Sequence, residues 1–461
     1  MPLEVLGRIG KDIYKAFLET SDFLLNNWRR RDLLPVRVVV HNDADGLSSA
    51  AIVSDFLDKM DVPHHISAVK YIDQDLIEEL LGERYPLIIF GDIGSGYKSL
   101  VEKLAEKANV IILDHHRPDI ISTKIRDLNP FLFGINGDEE LSGAGVAYLL
   151  SEALRSDTSP HIPLIGALGD LQYSESHELS GINRMIAEIA ERNGIISIKN
   201  DLKLFGGPGY PLAAALERTV QPLIPGISGN SSAAVGLLEK LGIPVKKDDK
   251  WTTLEDLSAE KKKELVSELI RIIAPFSDPK EIIGKVYLLR SEEPASFLRD
   301  LRSFATVLNA CGRMGRPEIG IMLAKGVRKH INEAADILND YRKEINEAVV
   351  RYESSARIVE KIAFIDGEEH IRDTMIGVIV SILSKKLKTR AVIGYASSNG
   401  KIKVSARSAD RSIGLSGILK AACEAAGGIG GGHEEAAGGL IPANRKEDFE
   451  RKVIELLRES Q

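Results

Sequence analysis

The chain has 461 residues, enough for two to four domains at roughly 100–200 residues each, and 44% of them are hydrophobic and 28% charged, the balance of a soluble globular protein. Lys+Arg total 60 and Asp+Glu 67, a formal charge of −7, which excludes a protein that coats nucleic acid through bulk positive charge but leaves a local basic groove open. Two cysteines exclude a disulfide framework and a CxxC zinc site, and no apolar run approaches the ~18 residues of a membrane span.

Residues 1–32 read as an amphipathic helix, with Leu6, Ile9, Ile13, Phe17 and Leu24 at helical spacing and Glu4, Arg8 and Lys11 breaking any leader-like apolar stretch. Val36–His41 (VRVVVH) is a short β-branched run, hence a buried strand. The pattern then predicts a helix over 48–60, a strand over 66–69, a short helix over 76–81, a strand over 86–90 (PLIIF), a helix over 98–107 and a strand over 110–113 (VIIL). Strands alternating with helices at this pitch predict a parallel sheet with crossovers. Helices over 142–153 and 163–168 complete a first domain, 1–190. Residues 191–325 carry Gly/Pro punctuation (GGPGYP at 206–211, PLIPGISGN at 222–230), a charged patch KKDDK at 246–250 and helical stretches such as 259–273, which predicts a mostly helical intermediate region. A charged helical pattern over 327–359 makes a connecting helix, 326–360. Alternation then resumes: strand 361–365, helix 372–386, strands 390–394 and 401–406, helix 413–425, a glycine cluster, strand 435–441 and helix 446–458, a smaller C-terminal α/β domain spanning 361–461. The expected class is α/β, with a Rossmann-like parallel-sheet lobe, a helical insertion, a connecting helix and a second α/β lobe.

His41-Asn42-Asp43-Ala44-Asp45-Gly46 follows VRVVVH directly. In an open α/β sheet, ligands bind outside the carboxyl ends of the strands. Alternate residues of an extended segment share a face, and a turn at Gly46 lets His41, Asp43 and Asp45 converge. The plainer reading is a helix cap, with Asp45 capping a helix that starts near Leu47. PLIIF, however, ends at Gly91-Asp92-Ile93-Gly94-Ser95-Gly96, and VIIL ends at Asp114-His115-His116. Three independent caps do not explain three parallel strands that each deliver His or Asp at the same end. His64-His65 is the internal control: it precedes a strand, follows Pro63, has no directly preceding Asp, and is assigned as surface or core filler. A fourth signal is GALGDLQ at 166–172, where Asp170 follows a small apolar helix.

Asp43, Asp45, Asp92 and Asp170 together carry four negative charges. Packing them within a few ångströms is prohibitive unless they protonate or bind cations. Two divalent ions would neutralise them, and a pair roughly 3.5–4 Å apart clamps the attacking and leaving oxygens of an in-line displacement. Mixed His/Asp ligation favours Mn²⁺, with Mg²⁺ or Co²⁺ as substitutes. A fifth signal is the run Gly427-Gly428-Ile429-Gly430-Gly431-Gly432-His433, whose backbone N–H groups and imidazole suit an anion; the alternative is an inter-element loop. Ser405-Ala406-Arg407-Ser408 ends a strand with a guanidinium suited to phosphate, or with a solvated arginine. Cys311 reads as a core thiol without chemistry. Glutamine is confined to Gln74, Gln172, Gln221 and Gln461 while Lys, Glu, Arg and Ile are plentiful, which points equally to a thermophile or to lineage bias.

Taken together, these motifs resemble the DHH phosphoesterase superfamily, named for the triplet present here as Asp114-His115-His116. HNDADG at 41–46, GDIGSG at 91–96 and GALGD at 166–170 resemble its other motifs, and SARS with GGGHEEAAGG resembles the DHH-associated domain. Leu308-Asn309-Ala310-Cys311-Gly312-Arg313 and the extra region between lobes are most similar to the RecJ branch, in particular its archaeal single-strand exonucleases and the GINS-associated nuclease. The resemblance covers about 1–175 and 300–445 and is thin over 190–300. It implies one metal held by His41, Asp43 and Asp92 and another held by Asp45, Asp92, His115 and Asp170. His116 would touch the scissile phosphate and Asp114 would orient a histidine, with Asn309 and Arg313 lining the nucleic-acid path. Ser405, Arg407, Gly431, Gly432 and His433 would bind phosphate from the second lobe, with the active site in the cleft. The implied activity is a metal-dependent exonuclease that degrades single-stranded DNA or RNA to mononucleotides in replication or repair. Two other readings stay open: a small-substrate phosphodiesterase or phosphatase (short RNA, cyclic dinucleotide, nucleoside bisphosphate) and a GINS-binding replisome component. The expected location is cytoplasmic, with no membrane partner.

Overall fold

In the computed structural model, which describes residues 3–173, 178–408, 413–432 and 435–459, the first apolar runs become one parallel sheet. Its strands are β1 (Val36–His41), β2 (His64–Val69), β3 (Leu87–Gly91), β4 (Asn109–Leu113) and β5 (Arg126–Asp127), in the order β2-β1-β3-β4-β5. β3 is buried throughout and β1 up to its last residue, which is why both read as nearly unbroken apolar stretches. Arg37 is the exception within β1; it is 2% exposed and is neutralised by Glu83 at 2.7 Å. The chain leaves β1 toward β2 on one side and returns to β3 on the other. The carboxyl ends of β1 and β3 therefore flank the switch point where such sheets bind ligands.

The helix after β1 runs over Ala44–Lys59, four residues earlier than the sequence pattern suggests. Asp43, not Asp45, is its N-cap and accepts the Gly46 N–H at 3.0 Å. The continuous helix expected over 98–107 is instead a single α turn, Lys98–Val101, and a 3-10 turn, Leu104–Glu106. Buried Val101 and Leu104 are three residues apart, the period of the tighter helix.

The intermediate stretch also holds strands that its helical spacing hid. β6 (Ile196–Leu202) pairs antiparallel with β9 (Ile283–Leu289), whose partner lies far away in the chain. The KKDDK patch is a hairpin of β7 (Lys246–Lys247) and β8 (Lys250–Trp251), with Asp248 and Asp249 at φ 49° and 61°, the left-handed positions of a two-residue turn.

The chain divides into two compact units, Met1–Leu338 and Asn339–Gln461, and the boundary falls inside the helix Ile331–Ser355. The C-terminal unit is a mixed sheet of β10 (Arg357–Val359), β11 (Ile362–Asp366), β12 (Ala391–Ser398), β13 (Lys401–Ser408), β14 (Ile429–Gly432) and β15 (Ala436–Pro442), ordered β10-β11-β12-β13-β15-β14. The helices Leu415–Ala425 and Lys446–Glu459 contribute Leu419, Cys423, Phe449 and Val453 to one core with Ile393, Tyr395 and Val404 of the sheet. The glycine cluster is thus the edge strand β14. A Cβ at Gly430 would lie 2.7 Å from the Cys423 sulfur, so the helix can pack this closely only on glycine.

Among the described residues, no helix is long and apolar enough to cross a membrane. Cys311 is 0% exposed, and burial pushes its thiol up to about 12. Treating the native protein with a thiol-blocking reagent is expected to leave Cys311 unmodified by mass spectrometry and turnover unchanged.

Candidate metal centre

Four segments of the N-terminal unit supply the donors. β1 ends at His41, and the following helix starts so close to it that a Cβ at Gly46 would lie 2.1 Å from the His41 carbonyl oxygen. His41 Nδ1 lies 2.8 Å from Asp43 Oδ2 and 3.6 Å from Asp92 Oδ2, yet has no aligned hydrogen-bond partner. Asp92 follows β3 with φ at +56°, a left-handed conformation that non-glycine residues rarely adopt. Its N–H donates to the Leu113 carbonyl at 2.8 Å, so the backbone is anchored while the carboxylate turns inward, 1% exposed. A Cβ at Gly143 would lie 2.7 Å from the Asp92 Cβ.

Asp45, also 1% exposed, accepts N–H bonds from Gly143 at 2.7 Å and Ala144 at 3.1 Å, where the helix Gly143–Ala153 begins. His115 follows β4. Its Nδ1 lies 2.7 Å from the Gly137 carbonyl oxygen. With Nδ1–H donating there, the Nε2 lone pair faces Asp92 Oδ1 at 3.3 Å, Asp170 Oδ2 at 3.3 Å and Asp45 Oδ2 at 3.8 Å. Asp170 itself ends the helix His161–Gly169. Two groups of three, His41–Asp43–Asp92 and Asp45–His115–Asp170, each have ligand atoms within 4.8 Å of one another.

Electrostatics show the cost of this gathering. Burial, with Asp92 adding, raises the Asp45 carboxyl well above its usual range. Burial pushes Asp170 up to about 6, with Asp92 and Asp43 adding to the effect. At His41 and His115 burial works against the charge, but neighbouring carboxylates outweigh it and raise both imidazoles. At Asp43 burial is outweighed by His41, the Gly46 N–H and the Arg313 guanidinium, which lower it. Among these buried atoms, His41 Nδ1, Asp92 Oδ1 and His115 Nε2 have no hydrogen-bond partner. Unpaired nitrogen and carboxylate oxygen without sulfur is a donor set that fits a divalent cation of the Mn²⁺ or Mg²⁺ kind.

Asp114 and His116 form a separate pair. Asp114 is 0% exposed; its Oδ1 accepts from His116 Nδ1 and the His115 N–H, both at 2.7 Å, and its Oδ2 accepts the Ser95 N–H at 2.8 Å. Fully enclosed, it is held by these hydrogen bonds against His116, and with Asp92, His115 and His116 it forms a third group whose ligand atoms lie within 4.8 Å of one another. The His116 side chain is 51% exposed, and Asp114 overcomes partial burial to push its imidazole up to about 9. His116→Ala is expected to lower turnover roughly 10²-fold or more, the worth of a positioned proton donor, with Mn²⁺ affinity retained in calorimetry.

Several supporting residues escaped the sequence reading. Gln172, 0% exposed, donates to the Gly137 carbonyl at 2.7 Å and accepts from Asn183 at 2.7 Å, and so holds the loop that fixes His115. Its signal was its rarity, as one of four glutamines in the chain, directly after the Asp170 motif. Asn129 donates to the His116 carbonyl at 2.7 Å and carries no sequence signal. Asn309 accepts the Ala44 N–H at 3.2 Å, so the helix Leu301–Arg313 packs on the metal loop, with Arg313 at its end. His64 bonds to Val62 and Ser54, and His65 is exposed.

In the C-terminal unit, Ser405 is buried, and Arg407 donates to Ser381 Oγ at 3.1 Å and the Ala406 carbonyl at 2.8 Å. Gly431 and Gly432 lie on edge strand β14, and the Gly432 carbonyl accepts from Ser416 at 2.8 Å. His433 lies outside the described residues.

Three family models match the chain in order: the DHH family N-terminal domain over 35–173, the DHH-CID domain over 204–286 and the DHHA1 domain over 357–459. An uncharacterized protein of Methanocaldococcus jannaschii is 30% identical over 465 residues, covering 97% of this chain and 98% of its own length. RecJ of Thermus thermophilus in complex with Mn²⁺ superposes with a TM-score of 0.58 at 19% identity, over 96% of this chain and 55% of the RecJ chain. This chain therefore spans about half the length of that protein. CDC45 of Entamoeba histolytica superposes with a TM-score of 0.63 at 13% identity, over 96% of this chain and 99% of its own. At these identities the structural likeness speaks for the fold. The order of the family domains and the full-length relative together place the chain in the DHH superfamily of phosphoesterases, with a RecJ-like fold.

Proposed function

We propose that this protein is a metal-dependent exonuclease that hydrolyses single-stranded DNA or RNA to mononucleotides in replication or repair. The observation that carries it is the convergence of His41, Asp43, Asp45, Asp92, His115 and Asp170, with unpaired nitrogen and oxygen atoms facing a common space. In this reading, one cation is held by His41, Asp43 and Asp92 and a second by Asp45, Asp92, His115 and Asp170, with Asp92 shared. Manganese suits the donor set, and the Mn²⁺-bound RecJ of like fold supports that choice. Bound ions of this kind withdraw charge from a phosphoryl group and acidify a water. The chain's own residues do the rest. His116, kept charged by Asp114, donates an N–H to a phosphate oxygen. Asn309 and Arg313 border the metal loop and guide the strand. In the C-terminal unit, Arg407 with Ser405, Gly431, Gly432 and His433 binds phosphate.

Arg407→Ala is expected to raise KM about tenfold, the worth of a charge-assisted hydrogen bond, with metal binding intact; loss of metal in calorimetry would contradict the assignment. The deciding experiment supplies an end-labelled single strand and a dinucleotide to the purified protein, with and without Mn²⁺. Digestion of the strand only with metal is expected. Turnover of the dinucleotide alone would replace this reading with a small-substrate phosphodiesterase. The likeness in fold to CDC45 along the whole chain favours a second role, binding GINS through the intermediate region. Co-purification with GINS that survives deletion of residues 200–300 would rule that region out.

A further inference from the structure

Away from the metal centre, one cleft in the N-terminal unit gathers three positive side chains, of which Arg218 is offset by Glu217 and Arg302 by Asp300, while Lys203 has no adjacent carboxylate. Its walls come from elements far apart in sequence: Lys203 just after β6, Arg218 at the end of the helix Leu212–Arg218, and Arg302 in the first turn of the helix Leu301–Arg313. The cavity proper is small, about 20 Å³, and it opens to solvent. Lys203 is 5% exposed, yet its ammonium has no hydrogen-bond or ion-pair partner among the described residues. Arg302 is held by Tyr173, whose hydroxyl accepts from Nε at 3.2 Å and whose ring centre lies 5.5 Å from the guanidinium. Arg218 donates to the Tyr210 hydroxyl at 2.5 Å and lies 3.5 Å from Glu217. The carboxylate that lines the cleft, Asp300, offsets Arg302, while its Oδ2 accepts the Ser303 N–H at 3.1 Å and the Ser303 hydroxyl at 2.8 Å. Glu281 acts on Lys203 only at longer range. Burial and Arg302 push the Lys203 ammonium down to about 8, which leaves it mostly charged at neutral pH. Like charges around a partly dehydrated space repel one another unless an anion sits between them.

The helix Leu301–Arg313 joins this cleft to the metal centre. Arg302, Thr306, Asn309 and Arg313 are its half-buried residues, and the other nine are buried. Steps of four, three and four place these residues on one face, about 16 Å from end to end at ~1.5 Å per residue. The single polar stripe of the helix therefore starts in the cationic cleft and ends at the loop that carries Asp43.

We propose that the cleft of Lys203, Arg218 and Arg302 is a phosphate-binding site distinct from the metal centre, which takes one phosphate of a substrate strand or the phosphate of a free nucleotide. The stripe favours the strand, and that preference rests on the nuclease reading; the phosphate site does not.

The test is calorimetry on the metal-free full chain in the presence of chelator, titrated with inorganic phosphate, with a mononucleotide and with a short single strand. Lys203→Gln and Arg218→Met are each expected to weaken inorganic phosphate binding about tenfold or more, the worth of a charge-assisted hydrogen bond. Lys199→Gln, which removes an exposed charge from β6, is the control and is expected to bind like wild type. Weaker strand binding in the cleft variants identifies the strand as the source. Weaker mononucleotide binding with unchanged strand binding identifies free nucleotide. Phosphate affinity equal to wild type in both variants overturns the proposal, as does an equal loss in Lys199→Gln. If Lys203→Gln does not fold, Arg218→Met, at the more exposed rim, carries the test. A protein that fails to digest any strand sinks the nuclease reading and leaves the phosphate titration able to decide this one.

Discussion

Asp92→Asn is expected to reduce turnover more than ~100-fold, beyond the range for losing a residue that merely supports a metal ligand. Asp92 faces both donor groups: Oδ2 lies 3.6 Å from His41 Nδ1, and Oδ1 lies 3.3 Å from His115 Nε2. No other carboxylate of the cluster faces both histidines this way. Asparagine is the informative replacement because the backbone here sits at φ +56°, which asparagine tolerates and alanine does not. The Asp92 N–H bond to Leu113 is a backbone bond and survives the change. The variant should therefore melt near the wild-type temperature without metal and lose the Mn²⁺-dependent rise in Tm. Turnover close to wild type would end the shared-ligand assignment. A variant that unfolds would be replaced by His41→Gln, which touches one donor group only.

The second large effect is an opposite response to pH with and without metal. In the metal-free protein, burial pushes Asp170 up to about 6 from 3.8, so the folded chain binds this proton more readily than the unfolded chain. That acid weakens the fold above about pH 6 and stops doing so as the pH falls. His116 is pushed up from 6.5 to about 9, so its contribution is complete below 6.5 and lost as the pH rises toward 9. His41 and His115 are shifted in the same direction. Asp43 and Asp114 are lowered, and their contribution fails only below the ordinary carboxylate range. Within the metal centre the terms active between pH 6 and 9 therefore have one sign, opposed by buried His161, pushed down to about 4, and by Lys203, pushed down to about 8, so the centre's own share of the metal-free Tm should climb on acidification toward about pH 6. Metal binding needs the same groups deprotonated, so the added stability from Mn²⁺ should grow with pH and shrink toward about pH 5. Melting scans at several pH values, with chelator or with Mn²⁺, measure both slopes. A Mn²⁺-dependent rise in Tm that is as large at acid pH as at alkaline pH would detach the metal from these side chains.

Much of this centre is legible in the sequence because its chemistry is local to strand ends. A buried parallel strand is a short apolar run, and whatever polar residue ends the run stands at the edge of the sheet. VRVVVH, LIIFGD and VIILDHH each follow that rule, which is why the sequence alone points to His41, Asp92 and His115. Asp170 was a weaker case, since an aspartate after a helix is commonly a terminal residue of that helix.

Other features depended on where distant segments meet. Whether Asp43 or Asp45 caps the first crossover helix is decided by how closely Gly46 approaches the His41 carbonyl, and the cap then releases Asp45 to the N–H groups of Gly143 and Ala144. The pairing of β6 with β9 and the edge-strand role of the glycine run depend on partners that no local periodicity reveals. Gln172, Asn129 and the Lys203–Arg218–Arg302 cleft belong to the same class. Periodicity and motif follow from covalent neighbours, so the order of residues along the chain carries them. Which buried polar atom finds a partner, and which is left facing an ion or a phosphate, is set by packing between segments tens to hundreds of residues apart, and only the folded arrangement contains that answer.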